Sequence, residues 1–238
     1  MIRLPPSIRS ISLAALALLA FTALRADAAP ARWIVVSDID DTIRQTGVVR
    51  DEPPPKPSGA HPKNYAHLLG DPFRRWTAVP GMAARYSQWR AHDRAEFFYL
   101  SCSPWFYRWR LGGFLQAQGF PAGRLLLNPL FPFAPPQFKD TAIRKIFRAQ
   151  PDGAFVFVGD SGERDPEIYT HLAHDFPRAV RRIFIRDVTP HDPALRSRLA
   201  FIKTPCAIFT DASRLPATLD RPAKLPARHD QNSLAHRR

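Results

Sequence analysis

Three carboxylates stand within four positions in Ser37-Asp38-Ile39-Asp40-Asp41-Thr42, directly after the apolar, β-branched run Trp33–Ser37. Like charges this close repel, so a cation must sit among them or water must reach them. A second acidic cluster, Gly159-Asp160-Ser161-Gly162-Glu163-Arg164-Asp165, follows the apolar run Ala154–Gly159. Between the two lie a hydroxyl, Ser101, closing the run Glu96–Ser101, and an ammonium, Lys139, opening an amphipathic stretch. Oxygen ligands from two acidic loops suit Mg²⁺, a hard ion that takes carboxylates, carbonyls and water. Beside such an ion, Ser101 and Lys139 could hold a phosphoryl group. A free carboxylate next to that group can attack phosphorus and form an aspartyl phosphate. A second carboxylate two residues on can protonate the leaving oxygen and later deprotonate water.

These groups can work together only if the fold gathers them. Strand-like runs occur at Trp33–Ser37, Glu96–Ser101, Arg124–Asn128, Ala154–Gly159 and Arg182–Arg186, with a weaker one at Cys206–Thr210. Their near-continuous apolar character suits strands covered on both faces. Helical spacing appears between them: Met82, Tyr86, Trp89; then Tyr107, Leu111, Phe114, Leu115; then Ile143, Ile146, Phe147; then Ile168 and Leu172. Asp165-Pro166 supplies a cap and first turn for the last of these. Strict alternation predicts an α/β fold of three layers, a mostly parallel central sheet with helices on both faces. In open sheets of that kind, sites form at the carboxyl ends of the strands, which is where the acidic clusters, Ser101 and Lys139 fall.

The constellation resembles the haloacid-dehalogenase superfamily of phosphohydrolases, whose Rossmannoid fold matches the expected one. Its D-x-D-x-T motif stands as Asp38-Ile39-Asp40-Asp41-Thr42, its strand-end Ser or Thr as Ser101, its helix-opening Lys as Lys139, and its G-D-x-x-x-x-D as Gly159, Asp160 and Asp165. Lys145 is a rival for the lysine but lies in mid-helix. The stretches SDIDDTI, YLSCSPW, Lys139 to Ile143 and GDSGERDPEIY resemble, more narrowly, the catalytic domain of the actin-patch-associated phosphatidate phosphatases, from about Trp33 to about Asp187. The resemblance implies Mg²⁺-dependent removal of phosphate from phosphatidate to give diacylglycerol. It implies Asp38 as nucleophile, Asp40 as general acid and base, and Ser101 and Lys139 as phosphate-binding groups. Asp38, the Asp40 carbonyl and Asp160 would hold Mg²⁺, with Asp165 a ligand or its support. The rival readings are a phosphatase of soluble nucleotides, sugar phosphates or polynucleotide ends, and a non-catalytic exported protein that binds phosphate or metal.

Plainer roles stand beside the chemical ones. Asp41 is expected to cap a helix, Ser103 to cap the helix starting near Trp105, and Ser161 and Glu163 to be ordinary loop polars. Trp105, Phe106 and Trp109 interleave with Arg108 and Arg110, and Leu130–Phe138 is an apolar, proline-rich loop. They could form a greasy, basic rim for a lipid phosphate or an anionic membrane surface. The expectation placed ahead of that is an aromatic face packed on the sheet, with the loop covering the core. No recognition fold for nucleic acid is visible.

The chain has 238 residues, with hydrophobic residues at 45% and charged residues at 23%, which fits one globular domain and excludes a wholly disordered chain. Its formal net charge is +13, which draws it to anionic or phosphorylated partners. Residues 1–28 have the layout of a secretory signal: Arg3 and Arg9, the apolar run Ile11–Leu24, and Ala26-Asp27-Ala28 as cleavage signal. The expectation is export to the periplasm or beyond after cleavage near Ala28, with an uncleaved anchor the lesser alternative. The domain is expected over 29–213, interrupted by a proline-rich insertion over 47–75 and followed by a poorly ordered basic tail over 214–238. Cys102 and Cys206 are expected as two small core residues, a disulfide being permitted by an oxidising compartment.

Overall fold

The computed structural model describes residues 32–46, 76–129, 137–188, 194–199 and 202–219. The expected signal segment, the 47–75 insertion, residues 130–136 of the proline-rich loop and the chain beyond Leu219 lie outside the described residues.

Six strands form one parallel sheet: β1 (Trp33–Asp38), β4 (Glu96–Pro104), β5 (Gly123–Asn128), β6 (Ala154–Asp160), β7 (Val180–Arg186) and β8 (Cys206–Phe209). Their order is β5-β4-β1-β6-β7-β8. A small antiparallel pair, β2 (Arg44–Gln45) with β3 (Thr77–Ala78), stands apart. All six strands anticipated from the sequence are present. From β1 the chain builds outward through β4 to β5, then crosses back to β6 on the other side of β1 and runs on to β7 and β8. The strand order therefore reverses at β1, the place where ligands bind in open α/β sheets.

Period-two alternation splits the core into two layers. Trp33, Val35, Phe97, Tyr99, Val156 and Val158 face one side. Against them pack Met82, Tyr86 and Trp89 of α1 (Met82–His92) and Leu111, Phe114 and Leu115 of α2 (Arg108–Ala117). Ile34, Val36, Phe98, Leu100, Phe155 and Phe157 face the other. They meet Ile143, Ile146 and Phe147 of α3 (Phe138–Ala149) and Tyr169 and Leu172 of α4 (Asp165–Asp175). The three-layer α/β architecture is thus as the alternation of runs implied. Burying each such side chain contributes about 1.5–3 kcal/mol, so the two aromatic-rich layers hold the sheet edge rigid beneath the site.

Two boundaries and the two cysteines differ from expectation. β4 continues past Ser101 to Pro104, with a register shift against β5 between those residues, so Cys102 and Ser103 belong to the strand. The packed chain continues beyond Arg214: Leu215 and Leu219 are buried, the Trp89 indole N–H donates to the Pro216 carbonyl at 2.9 Å, and the Leu219 N–H donates to Asp93 at 3.1 Å. Few apolar residues among many prolines concealed this stretch, yet two leucines suffice to anchor it. Cys102 and Cys206 form no disulfide and are half-buried rather than core residues, and burial raises the Cys206 thiol to about 12.

Candidate metal and phosphoryl site

Asp38, the last residue of β1, is buried at the point where the strand order reverses. One carboxylate oxygen lies 2.7 Å from the Lys139 ammonium, and the other accepts a hydrogen bond from the Thr42 hydroxyl at 2.9 Å. The turn that follows bends sharply at Asp41, whose φ of 60° lies in the left-handed region that Asp tolerates better than most residues. Asp41 does not cap a helix. It closes the turn, accepting from the Thr46 N–H at 3.0 Å and the Thr46 hydroxyl at 2.6 Å, while the Arg186 guanidinium donates to its carbonyl at 2.5 Å.

That turn presents Asp40 next to β4. One Asp40 oxygen accepts from the Ser101 hydroxyl at 2.9 Å and from the Ser103 hydroxyl at 3.4 Å. The other is held by the Arg44 guanidinium, with Nε at 2.9 Å. Ser103 therefore caps nothing; its side chain turns inward to Asp40, and no side chain caps the following 3-10 turn, Trp105–Tyr107. Arg44 is itself buried, and both its guanidinium and that of Arg110 lie against the Trp76 ring, at 4.1 and 4.3 Å from its centre. Burial acts to raise the Asp40 carboxyl, but the charge and hydrogen bond of Arg44 outweigh it and hold the group below its ordinary range.

Lys139 enters from the first turn of α3 and is buried. Its ammonium meets Asp38, Asp165 at 2.5 Å and Glu163 at 3.2 Å. Burial works against the charge of Lys139, yet these carboxylates more than offset it and raise the group well above its ordinary value, so it stays protonated. Glu163, expected as a loop polar, is thus an ion-pair partner. Lys145, the rival lysine, is exposed on α3.

Asp160 ends β6 and accepts from the Gly162 N–H at 2.7 Å. Asp165 opens α4 and comes close because residue 159 is glycine: a Cβ there would lie 2.5 Å from an Asp165 oxygen and 2.7 Å from the Tyr169 ring. The glycine of the G-D-x-x-x-x-D pattern is a steric requirement. Asp38, Asp160 and Asp165 each offer an oxygen within 4.8 Å of the others, and all three are buried. Burial, above all, raises Asp38 well over the carboxylate range, and the neighbouring Asp165, Glu163 and Asp160 add to it against the pull of Lys139. A buried acidic cluster that one ammonium leaves undercompensated, built from oxygen donors alone, fits a hard divalent cation.

The six residues singled out from the sequence, Asp38, Asp40, Ser101, Lys139, Asp160 and Asp165, are therefore brought together at the carboxyl edge of the sheet. Arg44, Thr42, Ser103 and Glu163 complete it. Arg44 has a signal in the sequence, its place four residues after Asp40. Ser103 and Glu163 carried only their nearness to the motifs.

Fold and site define a parallel α/β protein with a buried carboxylate and lysine cluster at the switch point of the sheet, a constellation suited to a divalent cation and a phosphoryl group. The family described as "Phosphatidate phosphatase APP1, catalytic domain" matches residues 33–187, and the chain belongs to it. It is 32% identical over 174 residues to Phosphatidate phosphatase APP1 of Saccharomyces cerevisiae, covering 66% of this chain and 27% of that protein. It is 30% identical over 169 residues to an uncharacterized protein of Schizosaccharomyces pombe, covering 65% of this chain and 25% of that protein. The chain thus spans about a quarter of the length of these relatives. No solved structure gives a significant match.

Proposed function

We propose that the chain is an exported, Mg²⁺-dependent phosphomonoesterase of haloacid-dehalogenase type acting on phosphatidate or a closely related lipid phosphate. The observation that carries this reading is the placing of Asp38 at the switch point, against Lys139 and within ligand distance of Asp160 and Asp165, in a chain of this family.

Asp38 attacks phosphorus in line with the leaving alkoxide; its oxygen–phosphorus bond forms as the ester bond breaks. Lys139 offsets charge on the equatorial oxygens, and Ser101 donates to one of them after releasing Asp40. Asp40 gives a proton to the departing oxygen, then takes one from the water that hydrolyses the aspartyl phosphate. In the resting site Arg44 keeps Asp40 in its base form, ready for the second step. The dianionic phosphate brought beside it raises its proton affinity, so that Asp40 takes from solvent water the proton it gives to the leaving oxygen in the first step. Asp38, the Asp40 carbonyl and Asp160 would hold Mg²⁺, with Asp165 a ligand or support. The ion supplies charge neutralisation for the phosphoryl oxygens.

A turnover panel tests the proposal: phosphatidate in mixed micelles against nucleotides, sugar phosphates and polynucleotide 5′-phosphates, each with Mg²⁺ and with chelator. Phosphatidate is expected to give the highest kcat/KM, and chelator to abolish it. Preference for a soluble ester would overturn the substrate assignment, and absence of phosphate release from every compound would overturn the enzyme. The location is tested by sequencing the amino terminus of the mature protein, expected just after Ala28.

A further inference from the structure

Among the described residues, the large hydrophobic side chains left exposed are Trp105, Phe106 and Trp109, at 58, 39 and 77%. All three fall within five positions, and the aromatic packing on the sheet expected for them is not what the fold does. Tyr107 turns inward to stack on Trp76, and Leu111, Phe114 and Leu115 carry the buried face of α2. Trp109 stands on the outer face of α2, and Trp105 and Phe106 are exposed on the 3-10 turn, Trp105–Tyr107, that leads into it. Scattered single hydrophobics on a surface are ordinary; an exposed aromatic group concentrated in five positions marks a contact surface.

Two arginines occupy the same turn. Arg108 is exposed, and Arg110 lies over Trp76. Trp and Tyr rings with interleaved cations match the headgroup layer of an anionic bilayer, where a ring has one side apolar and one wet and a guanidinium meets phosphate. The formal net charge of +13 favours the same partner. The patch also adjoins the site: β4 leads from Ser101 and Ser103 into Trp105 within four positions, and Asp40, Arg44, Trp76 and Arg110 form a continuous line of contacts to α2. Among the described residues no helix is long and apolar enough to span a bilayer, so the contact is peripheral.

We infer that Trp105, Phe106 and Trp109, with Arg108 and Arg110, form a docking surface for anionic lipid bilayers that sets the mouth of the site against the headgroup layer. This deepens the phosphatidate reading and rests on it only for its purpose, since docking needs no turnover.

The test separates the two. Sedimentation with vesicles of phosphatidylglycerol and phosphatidylcholine, free of phosphomonoester lipid and in chelator, measures docking alone. Full-length protein is expected to bind, to bind more weakly as NaCl rises from about 0.1 to about 0.5 M, and to lose about tenfold or more in partitioning in W105A/W109A. The same variant should keep the wild-type melting temperature, since both rings are exposed, and the wild-type rate on a water-soluble phosphate monoester, while losing rate on vesicle-borne phosphatidate. Trp fluorescence of the wild type should be quenched by spin-labelled lipid, and that quenching should vanish in the variant, because Trp33 and Trp89 are buried and Trp76 is half-buried. Equal vesicle binding by wild type and variant, no binding by either, or a wild-type dimer that W105A/W109A dissolves would overturn the inference. Vesicle binding without turnover of any ester would instead overturn the enzymatic reading and leave docking standing.

Discussion

Asp38→Asn should make the protein inactive and, in chelator at neutral pH, more stable. In the resting site Asp38 is buried and gains one attraction, to Lys139 at 2.7 Å, against repulsion from Asp165, Glu163 and Asp160. An amide removes the repulsion and the cost of a buried charge; its oxygen can accept from Lys139 while its NH2 donates to the Thr42 hydroxyl, which turns to accept. Lys139 is not orphaned, because Asp165 at 2.5 Å and Glu163 at 3.2 Å remain. Relief of a poorly compensated buried group is of order 1–3 kcal/mol. At about 2–4 °C per kcal/mol for a chain of this size, the melting temperature should rise by roughly 2–12 °C. The sign with pH follows from the raised carboxyl of Asp38. Below the ordinary carboxylate range, about pH 4, wild-type Asp38 is protonated both folded and unfolded, and the difference between the proteins vanishes. As pH rises the unfolded chain ionises first, so the wild type loses stability relative to the variant, until Asp38 ionises in the folded state and the gap levels. Calorimetry from pH 3 to 9 in chelator, with a turnover assay in Mg²⁺, reads all three expectations. A variant that turns over, that melts below wild type at neutral pH, or whose advantage is the same at pH 3 and pH 8 refutes the reasoning.

Lys139→Met removes the shared cation from Asp38, Asp165 and Glu163. It should cost about 3–5 kcal/mol in urea melts at neutral pH, and most of that loss should disappear at acidic pH as the carboxylates protonate. Arg44→Gln takes away the charge that holds Asp40 low, so the limb of the kcat/KM profile controlled by Asp40 should move to higher pH; an unmoved profile would deny Arg44 that role. Gly159→Ala drives a Cβ into Asp165 and Tyr169 and should cost about 1–3 kcal/mol while weakening the stabilisation that added Mg²⁺ gives in thermal melts. Truncation after Arg214 removes Leu215, Leu219 and the carbonyl that Trp89 bonds, and should lower the melting temperature as a core deletion does, the loss of one buried leucine alone being worth about 2–5 kcal/mol.

What the sequence revealed of the site has a physical boundary. Asp38, Asp40, Ser101, Lys139, Asp160 and Asp165 were legible because each lies at or next to the carboxyl end of an apolar run, or opens an amphipathic one. Parallel pairing brings such ends to one edge whatever the loops do. The six strands were legible for the same reason: burial on both faces writes a continuous apolar run. Contacts fixed by shape between distant segments leave no such mark. Ser103 reaches Asp40 because β4 runs on past Ser101 and shifts register, and nothing in Ser-Cys-Ser-Pro announces that irregularity. Trp76 meets Arg44 and Arg110 from a third segment, a meeting that only the folded turn and α2 decide. The exposure of the aromatics is not legible in the sequence, because an apolar residue is normally explained by burial and Trp105 and Trp109 fit a buried stripe as readily as an outward face. Leu111, Phe114 and Leu115 fill the inner face of α2, which leaves Trp109 on its outer face, and Trp105 precedes the helix in the exposed 3-10 turn. Trp105 and Trp109 are left on the outer surface, and the lipid docking inferred above is the reading that would account for them beside their arginine neighbours.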